Sequence, residues 1–128
     1  MRIVGHGVDV VEIVAVEQLR LRPHFDERCF TDPERRDAEA AASVTAFFAG
    51  RFAAKEAVLK ALGTGLIDGL SWLDIEVRRS PSGAPAVVLN GGVAALAATQ
   101  GVTELFVSIS HSETVAIASA IAVAREES

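Results

Sequence analysis

Residues 50 to 65 read Gly-Arg-Phe-Ala-Ala-Lys-Glu-Ala-Val-Leu-Lys-Ala-Leu-Gly-Thr-Gly. The pattern is typical of the C-terminal half of a long helix, which we expect to begin at Ser43 and to end near Leu62, with Gly63 as a left-handed cap. Apolar and alanine side chains surround most of this helix, which indicates burial. Its charged residues must therefore be paired, bound to a ligand or neutralised, because removing an ion from water costs several kcal/mol.

Four charged side chains of this helix form two pairs with a spacing of four residues. At about 100° per residue, Glu56 and Lys60 share one face with three alanines, a floor of methyl groups that leaves room for a ligand or another chain. Arg51 and Lys55 form the second pair, among larger apolar residues. The simplest interpretation is a Glu56–Lys60 salt bridge, with the arginine and lysine stems extending past a core to reach water.

Composition and charge limit the class of protein. The chain has 128 residues, of which 50% are hydrophobic, so we expect a single globular domain over residues 1–128. A net charge of −5 argues against nucleic acid or an anionic membrane as a partner. Cys29 is the only cysteine, which excludes an intrachain disulfide, and we expect it to pack in the core. Without a signal-peptide pattern or a bilayer-spanning apolar run, the sequence predicts a cytoplasmic protein.

The remaining segments predict an α+β fold, in which a small antiparallel sheet packs against the long helix. Thr31 and Glu34 have the spacing of a capping box, so we expect a short, charged and exposed helix there. Apolar and polar alternation and turn residues define the other elements. Along the chain, we expect strands over residues 2–9, 72–78, 85–89, 103–110 and 114–123, and further helices over 10–21 and 92–99.

Asp9 interrupts the apolar end of the first strand and is a candidate site residue. If the strand packs on the long helix, Asp9 and Glu56 could meet there. Two carboxylates, completed by water and phosphate oxygens, make a donor set that Mg²⁺ accepts. The alternatives are a helix N-cap for Asp9 and the salt bridge with Lys60 for Glu56.

Two other groups could bind phosphate. Lys60 precedes Gly63, Thr64 and Gly65 by one turn, which can place its ammonium beside free backbone N–H groups; an ordinary helix C-cap explains the same residues. His111 ends a strand whose odd positions face inward, next to the hydroxyl of Ser112. A structural histidine in a turn is the alternative there.

Three segments together resemble one family, the holo-[acyl-carrier-protein] synthases, which are the small trimeric class of 4′-phosphopantetheinyl transferases. The segments are Gly5-His6-Gly7-Val8-Asp9-Val10-Val11-Glu12-Ile13, then Arg51-Phe52-Ala53-Ala54-Lys55-Glu56-Ala57 continuing to Lys60-Ala61-Leu62-Gly63-Thr64-Gly65, and Ser108-Ile109-Ser110-His111-Ser112. The resemblance spans nearly the whole chain. It implies the 4′-phosphopantetheinyl transferase fold and transfer of phosphopantetheine from coenzyme A (CoA) to a serine of an apo acyl carrier protein, releasing adenosine 3′,5′-bisphosphate.

The resemblance also implies a role for each matching residue. Asp9 and Glu56 would hold Mg²⁺ against the CoA pyrophosphate. Apart from the resemblance, the chemistry of the transfer suggests the hypothesis that Glu56 removes the serine proton, directly or through a metal-bound water. Lys60 would bind the pyrophosphate and could protonate the departing bisphosphate. The other CoA contacts, partly from a neighbouring subunit of a homotrimer, would come from Arg51, Gly63, Thr64, Gly65, His111 and Ser112.

The chain departs from the family where many members grip the acidic helix of the carrier. Those members have an arginine three residues after the glutamate that matches Glu12, and here that position is Ala15. Three other arginines could substitute, namely Arg20, Arg22 and Arg28. A carrier domain within a larger fatty acid synthase is the alternative partner.

Two other classes of function stay open at this point. A non-catalytic CoA- or nucleotide-binding module would use Arg51, Lys60 and His111, but it would not need Asp9 and Glu56 together. A purely structural α+β oligomer would pair its helix charges internally. Mg²⁺ dependence distinguishes the transferase from the first, and a CoA-dependent thermal shift distinguishes it from the second.

Overall fold

A three-stranded antiparallel sheet and an 18-residue helix pack face to face at the centre of the computed structural model, which describes residues 1–126. The elements are β1 (Arg2–Glu12), α1 (Ile13–Arg20), α2 (Phe25–Cys29), α3 (Asp32–Glu39), α4 (Val44–Ala61), a 3₁₀ turn (Trp72–Asp74), β2 (Ile75–Arg79), β3 (Pro85–Leu89), α5 (Gly91–Thr99), β4 (Glu104–His111) and β5 (Val115–Ala124). The sheet has the order β1-β5-β4, and β2 and β3 form a separate hairpin. The predicted α+β architecture is confirmed.

The central helix α4 begins and ends where the sequence predicts. The hydroxyl of Ser43 accepts a hydrogen bond from the backbone N–H of Ala46 (3.3 Å), as an N-cap does. At the other end Gly63 adopts a positive φ of 76°, and its N–H donates to the carbonyl of Lys60 (2.9 Å). Both ends depend on local chemistry, which explains why they can be predicted.

The alanine face of α4 does not leave the room that the sequence suggested, because the sheet fills it. Ala53 and Ala57 are fully buried, in one cluster with Ala118 and Ala120 of β5. On β1, a Cβ atom added to Gly7 would lie only 2.1 Å from the carbonyl oxygen of Ala57. The backbones of β1 and α4 are therefore in direct contact, as expected where glycine interrupts a strand.

Strand β1 is longer than predicted, and this changes the interpretation of Asp9. The strand continues to Glu12, so the predicted helix over 10–21 begins only at Ile13. Asp9 pairs with Ala118 of β5 inside the sheet and does not cap a helix. The reason is long-range: the β-branched Val10 and Val11 continue the pairing with β5.

The short helix α3 has the predicted capping box but is not exposed on all sides. The hydroxyl of Thr31 accepts from the N–H of Glu34, whose carboxylate accepts from the N–H of Thr31 (2.8 Å). Glu34 is nevertheless fully buried, because its carboxylate pairs with the equally buried ammonium of Lys55 at 2.7 Å. The prediction of an exposed α3 is therefore wrong for this face.

The Glu34–Lys55 ion pair connects three segments of the fold. The ammonium of Lys55 also donates to the carbonyls of Trp72 (3.0 Å) and Ile75 (2.6 Å), so all its hydrogens are used. The second oxygen of Glu34 accepts from the N–H of Val77 (2.8 Å). Lys55 thus ends inside the protein, whereas the sequence suggested a stem that reaches water. The carbonyl of Trp72 belongs to the 3₁₀ turn that replaces the first part of the strand predicted over 72–78.

The two faces of the sheet differ in cover. Towards α4, the alternating residues Leu105, Val107 and Ile109 of β4 pack on the core, as predicted. The opposite face, which we call the outer sheet face, exposes Val8, Val10, Phe106 and Ile117.

Cys29 is buried, and burial raises the pKa of its thiol. No helix within residues 1–126 has the length and apolarity that a bilayer crossing requires.

Candidate active site

Asp9, Glu56 and Lys60, which we call the acid–lysine cluster, converge where β1 crosses α4. Because side chains alternate along a strand, Asp9 lies on the same face of β1 as Gly7, towards the helix. The ammonium of Lys60 lies 2.8 Å from a carboxylate oxygen of Asp9 and 3.1 Å from the carbonyl oxygen of Val8. Within the described residues Lys60 pairs with Asp9, and the predicted Glu56–Lys60 salt bridge does not form.

The charges of the cluster influence one another. Burial raises the pKa of Glu56, the negative charge of Asp9 raises it further, and Lys60 opposes both effects. The hydrogen bond to Asp9, together with the charge of that carboxylate, raises the pKa of Lys60. Asp9 therefore acts on both residues of α4, so the structure brings the two predicted carboxylates into one electrostatic environment.

One buried oxygen atom of Asp9 indicates that the cluster could hold a divalent cation. Asp9 is only 8% exposed, and its second carboxylate oxygen, Oδ2, is buried without a hydrogen-bond partner. A buried carboxylate oxygen normally has a partner, so this atom has a coordination position to offer. No group of three or more His, Cys, Asp or Glu ligands occurs in residues 1–126. A two-carboxylate site suits Mg²⁺, which retains water and takes further ligands from phosphate.

Gly63, Thr64 and Gly65 follow Lys60 at the end of α4. A Cβ atom added at Gly63 or Gly65 would meet no atom within 4 Å, so both glycines face open space. The hydroxyl of Thr64 donates to the carbonyl of Gly65 (3.0 Å). This segment has the open backbone that a phosphate contact requires, and it also forms an ordinary helix C-cap.

A second group of basic side chains surrounds a cavity of about 420 Å³ that we call the basic pocket. Arg51, Arg79 and His111 line it, together with Asp37. The guanidinium of Arg51 lies 4.2 Å from the ring centre of Phe47, and its Nε is buried without a hydrogen-bond partner. Burial lowers the pKa of Arg51; the charges of Glu34 and Asp37 oppose this shift, and that of Arg79 adds to it.

His111 lies at the edge of the basic pocket, and Ser112 follows it in the chain. The Nδ1 atom of the exposed His111 ring is 3.1 Å from the carbonyl oxygen of Ser112. The hydroxyl of Ser112 accepts from the N–H groups of Thr114 and Val115, at 3.2 Å each, so it organises the turn between β4 and β5. His111 and Ser112 also share a smaller depression with Glu113.

The predicted CoA-binding residues thus form two groups within one chain. Lys60 lies beside Asp9 near the C-terminal end of α4, and the segment 63–65 follows that end. Arg51 and His111 line the basic pocket, whose lining contains neither Asp9 nor Glu56. Arg79 is not among the residues predicted from the sequence, although strand alternation, which places it on the same face of β2 as the buried Val77, is a signal that points to it.

The three arginines predicted for the carrier protein lie around the corner between α1 and α2. Arg20 makes two 3.1 Å hydrogen bonds to the carboxylate of Asp26, and its guanidinium lies 4.2 Å from the ring centre of Phe48. Arg28 donates to the carbonyl of Pro23 (3.3 Å), and Arg22 is exposed. Arg20 is thus held within the fold, whereas Arg22 projects from it.

Comparison with known proteins finds both a matching family model and similar sequences. A family model described as the 4′-phosphopantetheinyl transferase superfamily matches residues 5–119. The chain is 45% identical over 123 residues to the holo-[acyl-carrier-protein] synthase of Caldanaerobacter subterraneus subsp. tengcongensis, covering 95% of this chain and 96% of the relative.

Solved structures of similar proteins have the same fold. The holo-[acyl-carrier-protein] synthase of Neisseria meningitidis matches with a TM-score of 0.86 and 28% identity, over 95% of this chain and 99% of the other. A Bacillus anthracis holo-(acyl-carrier-protein) synthase, solved in complex with CoA (3′,5′-ADP), matches with a TM-score of 0.80 and 37% identity, over 96% and 98% of the two chains.

Proposed function

Because the chain belongs to the 4′-phosphopantetheinyl transferase superfamily, we propose that it is an enzyme that transfers the 4′-phosphopantetheine group of CoA to a serine of an apo acyl carrier protein. The products are the holo carrier protein and adenosine 3′,5′-bisphosphate. The observation that carries this proposal beyond likeness is the acid–lysine cluster, in which Asp9 contacts Lys60 and the charges of both act on Glu56, which is remote from Asp9 in sequence.

The residues of the cluster suit phosphoryl transfer, which depends on positioning and charge neutralisation. Asp9 and Glu56 would hold Mg²⁺, which when bound neutralises charge on the CoA diphosphate. Lys60, already at the cluster, would contact the diphosphate and neutralise the departing bisphosphate. The segment 63–65 would approach the same phosphates through its backbone N–H groups.

The nucleophile comes from the carrier protein, so this chain needs to accept a proton and not to supply a serine. The serine oxygen bonds to the phosphorus that bears pantetheine, and the bond from that phosphorus to the oxygen of the bisphosphate breaks. Glu56 would accept the serine proton, directly or through water. Burial and the charge of Asp9 raise its pKa, which makes it a stronger base than an ordinary carboxylate.

Mass spectrometry of an apo acyl carrier protein, incubated with this chain, CoA and Mg²⁺, tests the proposal. We expect the carrier to gain the mass of one phosphopantetheine and the gain to disappear when EDTA is added. CoA binding without any gain in mass, across free carrier proteins and carrier domains of fatty acid synthases, would favour a non-catalytic CoA-binding module.

We also propose that the chain forms a homotrimer with sites between subunits. The support is twofold: the outer sheet face leaves Val8, Val10, Phe106 and Ile117 uncovered, and the predicted CoA contacts fall into two groups on one chain. The acid–lysine cluster of one subunit would bind the diphosphate, while Arg51, His111 and Ser112 of a neighbour would bind the nucleotide and its 3′-phosphate.

The remaining parts of the proposal concern the carrier and the location. Arg22 and Arg28, supported by Arg20, would contact an acidic surface of the carrier protein. The reaction would serve fatty acid biosynthesis in the cytoplasm. The chain would form one domain over residues 1–128 and would bind neither nucleic acid nor a membrane.

A further inference from the structure

Arg79 ends β2 and reaches the basic pocket because of strand alternation. It lies on the same face of the hairpin as the buried Val77, whereas Arg78 and Glu76 lie on the opposite face and pair with each other. The cavity therefore receives one guanidinium from α4, that of Arg51, and one from the hairpin.

The charges around this cavity are not balanced. Arg51 and Arg79 form no salt bridge within residues 1–126, and the charge of Arg79 acts unfavourably on Arg51. Asp37 is the carboxylate of the pocket wall, because the nearby carboxylate of Glu34 is already occupied by Lys55. Two cations therefore face one carboxylate, with His111 at the edge.

An unsatisfied donor accompanies this excess of positive charge. The Nε of Arg51 is buried and has no hydrogen-bond partner, although a buried N–H normally finds one. Planar guanidinium groups bind phosphate oxygens with paired hydrogen bonds, and such charge-assisted bonds are among the stronger ones in proteins. The cavity, at about 420 Å³, also has the size of a small-ligand site.

We propose that Arg79 is the second cation for a phosphate monoester bound in the basic pocket, and that it makes the protein prefer CoA to dephospho-CoA. The inference rests on the proposed function, since it identifies this monoester as the 3′-phosphate of CoA. A phosphate monoester carries nearly two negative charges near neutral pH, which two arginines match better than one. The diphosphate has its own partners in the acid–lysine cluster.

Steady-state transfer with CoA and with dephospho-CoA tests the role of Arg79. In Arg79→Gln we expect kcat/KM with CoA to fall about tenfold, the size of one charge-assisted hydrogen bond, and kcat/KM with dephospho-CoA to stay the same. Arg79→Lys should recover part of the preference. Arg78→Gln, one residue earlier on the opposite face, is the matched control and should keep the wild-type ratio.

Direct binding separates this inference from the proposed function. Calorimetry would compare adenosine 3′,5′-bisphosphate with adenosine 5′-monophosphate, using wild type and Arg79→Gln. If Arg79→Gln binds the bisphosphate more weakly than the wild type does, and binds the monophosphate equally well, the role of Arg79 is supported. This holds even if the wild type transfers nothing and the proposed function fails. An unchanged ratio between the two nucleotides, or an equal loss for both, overturns the inference even if transfer is normal.

Discussion

Burial, a neighbouring carboxylate and a neighbouring lysine all act on Glu56. We expect a substitution there to remove the chemistry and to leave the fold intact. We expect Glu56→Gln to abolish phosphopantetheine transfer, because the amide can neither accept the serine proton nor serve as an anionic metal ligand. Mass spectrometry of the carrier measures transfer, and circular dichroism and light scattering measure the fold and the oligomer. Undiminished transfer by this variant would refute the role of Glu56.

The pKa of Glu56 also predicts how stability depends on pH. Because its pKa is raised in the folded state, the folded protein binds this proton more tightly than the unfolded chain does. The contribution to stability is complete below the ordinary value of 4.5 and is lost as the pH rises through the raised value. The melting temperature of Glu56→Gln should therefore rise relative to that of the wild type as the pH rises through that window.

The ammonium of Lys60 lies where a metal ion would bind Asp9 in the acid–lysine cluster. It neutralises Asp9 at 2.8 Å, so it competes with a metal for the same carboxylate. In Lys60→Met we expect Mn²⁺, used as a probe, to bind more tightly in the absence of CoA, while transfer falls because the diphosphate loses its lysine. Calorimetry measures the first effect. Lys60→Arg, which keeps the charge, should bind Mn²⁺ like wild type; equal Mn²⁺ affinity in all three proteins would contradict the competition.

At the scale of elements, the buried Glu34–Lys55 pair holds α3 and β2 against α4. Glu34→Ala leaves a buried ammonium without its carboxylate, and breaking such a pair costs about 3–5 kcal/mol of unfolding free energy. Urea denaturation measures the loss. Glu39→Ala, on the exposed end of the same helix, is the control and should change stability little. A small loss in Glu34→Ala would show that water reaches Lys55.

The contact between β1 and α4 is tight enough to be tested with one methyl group. In Gly7→Ala the new Cβ would lie 2.1 Å from the carbonyl oxygen of Ala57 and 2.7 Å from the backbone nitrogen of Ala61. Backbone atoms cannot move aside as a side chain can, so we expect at least about 1–3 kcal/mol of destabilisation and a displaced Asp9. Gly65→Ala, where the space is open, is the control for stability in the same denaturation experiment.

The parts of these elements that could be predicted from the sequence depend on local chemistry. Ser43, Thr31 and Gly63 fix helix ends through bonds to residues three or four positions away. The continuation of β1 to Glu12 could not be predicted, because its partner strand begins more than 100 residues later, at Val115. The local pattern of Val10 and Val11 suits a helix as well as a strand.

The candidate site was predictable to a similar extent. Asp9, Glu56 and Lys60 attract notice as charges among apolar residues, and the structure brings all three together. Which carboxylate Lys60 pairs with depends on the angle at which β1 crosses α4, which no local pattern encodes. Arg79 and the basic pocket could not be predicted, because the cavity is assembled from three separate segments of the chain.

At the scale of the whole molecule, the outer sheet face should control assembly. We expect Val10→Glu to dissociate the proposed trimer, because it places a charge in an apolar interface, and to abolish transfer if the sites lie between subunits. Light scattering with size-exclusion chromatography measures the mass. Val14→Glu, an equally exposed position on α1, is the control. A monomeric wild type would contradict the prediction.

Mixed oligomers test the shared site directly. Glu56→Gln and Arg51→Gln chains impair different groups of residues, so assembling them together should restore transfer at limiting CoA if neighbouring subunits supply one group each. Transfer that never exceeds the sum of the two separate variants would indicate that each chain uses its own Arg51.

The fully satisfied contact between Lys55 and Glu34 also constrains how homologous sequences can diverge. A single substitution at either position strands a charge, whereas exchanging both for apolar residues of similar volume removes the conflict. Inherited changes at positions 34 and 55 should therefore arrive together. Since position 56 follows immediately on the same helix, any lineage that loses the pair must find another way to keep the orientation of the carboxylate that we propose as the proton acceptor.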